Sequence, residues 1–132
     1  MNSRQRTSAR RRGGFTLIEV MLVVVIIGML ATLAIVNVPK YMKRSQINTV
    51  KGQIRSLSTA INAYYMEEGK YPGSLNDLVS GDDPYIEGKV PSDPWGNTYQ
   101  YNYPGGHKPY KFDLQVTSPD GLTIANWNLD EN

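Results

Sequence analysis

The chain contains no cysteine, which excludes a disulfide framework and any site built on thiolates. Histidine is nearly missing as well. His107 stands alone in a Gly- and Pro-rich stretch, with no second histidine to complete a zinc site or a nucleophile–base pair. No phosphate-cradling glycine motif occurs. Length is also scarce, because 132 residues leave room for one small domain whose core is too modest for a deep cleft. These absences point away from an enzyme. Acid is missing from the first eighteen residues, which carry Arg4, Arg6, Arg10, Arg11 and Arg12. Those five arginines set the formal charge of +2; without them, nine basic residues face twelve acidic ones, a net −3. A nucleic-acid partner is therefore not expected.

The informative stretch is Gly13-Gly14-Phe15-Thr16-Leu17-Ile18-Glu19, followed by an apolar run to about Val38. From Phe15 to Val36 the run covers about 22 residues, roughly 33 Å of helix, enough to cross a bilayer core. One carboxylate, Glu19, sits in its first turn. An ionised group at that place is costly and needs a partner or a purpose. The basic block sets orientation, holding the N-terminus in the cytoplasm. A bare basic tail would bind nucleic acid or anionic lipid but would not need Gly14, Phe15 and Glu19 together. A passive single-pass anchor would not need Glu19. The segment Gly14-Phe15-Thr16-Leu17-Ile18-Glu19-Val20 resembles the processing signal of type IV pilins and type II secretion pseudopilins. That resemblance implies that a prepilin peptidase cuts after Gly14 and methylates Phe15. It also implies that Glu19 guides assembly, its carboxylate pairing with the Phe15 amino group of an adjacent subunit. A buried pair of this kind selects register more than it adds stability.

Pro39 follows the apolar run and predicts a kink or loosened turn around Ile35–Val38. The family places its proline where Val36 stands here, so the break is expected nearly one turn later. Lys40, Lys43 and Arg44 make a basic collar at the outer membrane face. Beyond it Ile47, Val50, Ile54, Leu57, Ile61 and Tyr64 recur at spacings of three and four, with Gln46, Asn48, Lys51, Gln53, Arg55 and Ser58 mostly elsewhere. This stripe predicts the seam on which a globular part folds. Gly69 and Pro72 end the helix. Ser74-Leu75-Asn76-Asp77 reads as a capping box opening a short helix.

Alternation then predicts three antiparallel strands: one through Tyr99, Tyr101 and Tyr103, one through Tyr110, Phe112, Leu114 and Val116, and one over Leu122–Trp127. The tyrosines suit a half-solvated sheet better than a glycan-stacking surface. The Glu67–Pro72 and Val90–Asn97 stretches, the latter reading VPSDPWGN, resemble the major pseudopilin of type II secretion, as does Tyr99 after Gly96. The missing cysteines favour that branch over the pilins, many of which carry a disulfide loop. The resemblance implies an α+β, type IV pilin-like fold. A long N-terminal membrane-spanning helix carries a small three-stranded antiparallel β-sheet packed on its C-terminal half. Residues 1–14 are then a cleaved leader, 15–38 the transmembrane and filament-core helix, and 39–132 the periplasmic domain.

The function implied is that of a structural subunit of a periplasmic type II secretion pseudopilus that pushes folded proteins across the outer membrane. The alternatives are a type IV pilin-like subunit for adhesion, motility or DNA uptake, and a membrane-anchored periplasmic binding domain that never assembles. Implied partners are further copies in a helical filament, minor pseudopilins, an inner-membrane assembly platform, the prepilin peptidase and, before assembly, lipid. The implied location is the inner membrane, single-pass, with the C-terminal domain in the periplasm. The resemblance also implies a calcium site in the loop after the second strand, where Ser118 and Asp120 match. The acids expected further on are absent, leaving a thin oxygen set for a cation that wants six to eight. No cofactor other than calcium is expected.

Overall fold

The computed structural model describes residues 13–35 and 38–131. The basic block and the Val36–Asn37 part of the expected loosening therefore lie outside the described residues. The chain divides into two compact units after Pro39.

The first unit holds helix α1, Leu17–Ile35, which has no buried residue. Its apolar side chains point to every side, so it has no polar face of the kind a surface helix shows. Nineteen residues give about 29 Å of length. Among the described residues it is the one helix long and apolar enough to cross a membrane, with a mean hydropathy of 2.7.

Helix α2 spans Val38–Glu68. Pro39 occupies its first turn, where a missing N–H breaks no helical bond. The spacing of the apolar stripe does what it predicts: Val50, Ile54, Leu57 and Ile61 are buried, with Ile47 and Tyr64 packed at the margin. Two residues assigned to the polar side are drawn in. Lys51 is buried, and Gln53 is half-buried, accepting the Tyr99 hydroxyl and donating to Ser92 O at 3.3 Å. Gly69 ends the helix at φ +68, a conformation that suits glycine, and its N–H meets Tyr65 O at 2.9 Å.

The capping box opens a 3-10 helix, Leu75–Leu78, where a short α-helical turn is equally compatible with the sequence. The Asp77 carboxylate accepts the N–H groups of Gly73 at 2.8 Å and Ser74 at 3.0 Å. In the VPSDPWGN stretch, buried Asp93 accepts the N–H groups of Trp95 at 2.9 Å and Asn97 at 2.7 Å. Trp95 is only half-buried and reaches Gln46 at 3.3 Å through its indole N–H.

Strands β1 (Gln100–Asn102), β2 (Asp113–Thr117) and β3 (Thr123–Ala125) form an antiparallel sheet in the order β1-β2-β3. Tyr101 faces Leu114, and Val116 faces Ile124. Leu114, Val116 and Ile124 join the α2 stripe in one core. Each strand is shorter than its alternation predicts. Tyr103 and Tyr110 fall outside the ladder, and Pro104 has no N–H to extend it. The ring of Tyr103 instead lies 4.7 Å from Tyr71, which stacks on Tyr65 at 4.5 Å. Past Ala125 the Asn126 N–H still meets Leu114 O at 2.9 Å, but side chains take over the rest of the pairing. The Asn126 amide accepts Leu114 N–H at 3.0 Å and donates to Phe112 O at 3.0 Å. Asn128 closes Ala125 and Thr123 in the same way.

Candidate functional site: the segment from Gly14 to Glu19 and the exposed helix behind it

Gly14, Phe15 and Thr16 precede α1 without regular structure, and Phe15 is 90% exposed. A peptide bond in that setting is open to an enzyme, since no fold must unravel to present it. Glu19 stands in the first turn of α1. Its Oε2 accepts the Thr16 N–H at 3.3 Å, while the Glu19 N–H reaches Thr16 Oγ1 at 3.3 Å. This is a reciprocal capping box, Thr-x-x-Glu, at the start of the apolar helix. The helical ladder begins there, with Val20 N–H to Thr16 O at 3.3 Å. Glu19 thus has a local partner within one protomer, and that partner is the residue next to Phe15. The Thr-x-x-Glu spacing is visible in the sequence but is hidden by the assembly role assigned to its glutamate.

Behind the cap, the side chains of α1 from Val20 to Leu33 make no core of their own. Thr32 alone among them carries a hydroxyl, and it donates to Met29 O at 2.6 Å. No polar group of that helix other than its ends therefore resists transfer into lipid or among like helices.

In the second candidate, the turn between β2 and β3, the chain's own groups engage the oxygens that a cation would use. Ser118 is buried; its Oγ accepts Leu122 N–H at 3.1 Å, and its carbonyl accepts Gly121 N–H at 2.9 Å. The exposed carboxylate of Asp120 pairs with the Lys43 ammonium. The Asn126 amide, a further oxygen near the turn, is committed to the sheet. Among the described residues no three acidic or histidine side chains gather closely enough to hold a metal ion. One carboxylate already matched by a lysine does not fit calcium.

His107 lies apart from both. Its ring stacks on Trp127 at 3.7 Å, and Nδ1 is 2.9 Å from Asp113 Oδ2. Asp113 is buried and also accepts the N–H groups of Gly106 at 2.9 Å and His107 at 3.3 Å. Burial alone would raise its pKa, but these hydrogen bonds from His107 and Gly106 hold it below the ordinary carboxylate value. The cluster pins the β1–β2 loop and holds no nucleophile.

Comparison with known proteins agrees with this anatomy. A family model described as type II secretion system protein G matches residues 37–126, and one described as a prokaryotic N-terminal methylation motif matches residues 9–35. Type II secretion system core protein G of Pseudomonas aeruginosa is 34% identical over 141 residues, covering 90% of this chain and 97% of its own. The protein of that name from Pectobacterium carotovorum is 35% identical, covering 94% and 90%. The crystal structure of the major pseudopilin from the type 2 secretion system of enterohaemorrhagic Escherichia coli superposes with a TM-score of 0.59 at 26% identity. That match covers 70% of this chain and 95% of the other.

Proposed function

Because the chain belongs to the type II secretion system protein G family, we propose that it works as the major subunit of a pseudopilus, held first by lipid and then by copies of itself. It is a structural pseudopilin and not an enzyme, a membrane-anchored periplasmic protein that assembles with other components of the secretion system. The observation that carries the reading is α1, an apolar helix with nothing packed on it and a single carboxylate at its start.

The finer steps follow from that helix. The N-terminus stays cytoplasmic, and the prepilin peptidase cuts between Gly14 and Phe15 and methylates Phe15. In the bilayer the Thr16–Glu19 box satisfies the first N–H groups of α1 near the interface. On extraction, α1 exchanges lipid for neighbouring helices. Leaving the new Phe15 ammonium unpaired there would cost several kcal/mol, on the order of a broken buried ion pair. Glu19 supplies the countercharge. Minor pseudopilins and an inner-membrane platform add subunits, and the growing filament pushes folded cargo towards the outer membrane.

Intact-mass analysis of the membrane-purified protein tests the first step. The expected mass is that of a chain beginning at Phe15 with one added methyl group. A mature chain beginning elsewhere would remove the basis for pairing Glu19 with a Phe15 ammonium.

A further inference from the structure

One flank of α2 carries Arg55, Ser58 and Asn62, and these residues help line an open cavity of about 390 Å³ at the edge of the core, with Tyr110, Lys111, Phe112 and Asn126 on its other walls. Its lining contains two cations and, among the described residues, no carboxylate. Ser58 Oγ is shielded from solvent there without a hydrogen-bond partner, an arrangement that leaves bonding capacity unused. Arg55 meets Asp130 at 3.3 Å, but both side chains are largely exposed, so water weakens that pair.

The other flank of α2 has the opposite character. Glu67 and Glu68 end the helix, where carboxylates oppose its dipole, and Asp82 and Asp83 lie beside them around a second open cavity. At 100° per residue, Arg55, Ser58 and Asn62 share one side of α2, while Tyr64, Glu67 and Glu68 share the opposite side. From Ser58 to Glu67 is half a turn beyond two full turns, and about 14 Å along the axis.

We propose that the Arg55–Lys111 cavity of one copy receives the Asp82–Asp83 edge of the next copy of this chain. The inference rests on the pseudopilus reading and adds to it which surfaces of the folded unit meet. The two patches are complementary in charge, and they sit on opposite sides of one helix with an axial offset. One copy therefore cannot satisfy its neighbour and itself through a two-fold axis. Such a contact is heterologous, and repeating it builds an open helix of subunits where the rotation does not close into a ring. The contact also gives Arg55 a carboxylate in a less solvated place than Asp130 offers.

The chain has no cysteine, so introduced pairs report cleanly. Full-length chain carrying both Asn62→Cys and Asp83→Cys, assembled by a functioning secretion apparatus and then oxidised, is expected to give a ladder of dimers, trimers and longer species. Each single cysteine alone is expected to stay monomeric. Arg55→Glu with Lys111→Glu should lower filament yield at least about tenfold, and Asp82→Lys with Asp83→Lys in the same chain should restore it. Both side chains are exposed, and an unchanged melting temperature separates this effect from misfolding. Filaments without a ladder, or dimers from a single cysteine, would overturn the docking and leave the pseudopilus reading standing. Failure of the parent chain to form filaments would overturn the reading and the docking with it.

Discussion

In α1 no residue is buried, and Leu17, Ile18 and Leu33 are 79%, 74% and 70% exposed; in the second unit Ile54, Ile61, Leu78 and Leu114 are 0% exposed. Both regions are apolar, yet only one hides its surface with its own contacts. The sheet and the α2 stripe form a finished core. α1 is unfinished in a single copy, and water is a poor solvent for it, so it must be covered by lipid or by other helices. A subunit that has to leave a membrane and enter a filament needs this division. On the proposed reading the folded unit stays constant while the helix exchanges lipid for neighbouring copies.

The largest effect that sharpens the comparison is a truncation in each region. Leu114→Ala removes a side chain from the centre of the core and should destabilise the folded unit by about 2–5 kcal/mol. Leu22→Ala in α1 leaves no cavity within a protomer and should not move the same unfolding transition. Chemical denaturation of the detergent-solubilised full chain reads both. Equal losses would mean that the two regions are not independent in the way described.

A smaller effect concerns Asp113. Its pKa is held down in the folded state, so the carboxylate contributes stability above its unfolded pKa of about 3.9. That contribution is lost as pH falls through the lower, folded value. Asp113→Asn should cost about 1–3 kcal/mol near neutrality and flatten the acid limb of the stability curve below about pH 4. A variant that keeps the parent's acid limb would show that Asp113 does not carry it.

The smallest effect belongs to the β2–β3 turn. Lys43 and Asp120 are both exposed by more than half, so Lys43→Gln should cost under about 1 kcal/mol. Chelating divalent ions should leave the melting temperature of the parent nearly unchanged, since stabilisation by linkage needs a bound ion. A large drop restored by calcium and abolished by Asp120→Ala would show a cation site that the oxygen set does not suggest.

How much of this was legible in the sequence differs between the regions. The apolar run, the α2 stripe and the order of three strands follow from periodicity, because one face of each must be dry. Strand ends were less legible. Alternation around Leu114 extends to Tyr110, but the Asn126 and Asn128 side chains and Pro104 end the ladders by competing for, or lacking, backbone bonds. Asp113 was hidden because it occupies a nominally polar position of β2. Only the fold shows that Gly106 and His107 return over it. In the candidate site, Gly14 and Phe15 stand out through the resemblance to the pilin processing signal, and Glu19 also as the one carboxylate in an apolar run. The Thr16–Glu19 box was equally present as a Thr-x-x-Glu spacing. It gives Glu19 a second, purely structural reason to exist, and the two reasons must be separated.

Glutamine separates them, because it can complete a capping box as glutamate does but carries no charge. The decisive measurement is the fraction of Glu19→Gln subunit incorporated into pseudopili, beside its insertion and its cleavage after Gly14. If the charge pairs with the Phe15 ammonium during assembly, Glu19→Gln should insert, be cut and accumulate like the parent. Its incorporation and the secretion it supports should fall by about tenfold or more, the equivalent of at least 1.4 kcal/mol. Glu19→Leu should fail at least as badly. Incorporation of Glu19→Gln at the parent's level would contradict the account and leave Glu19 as the cap of a membrane helix.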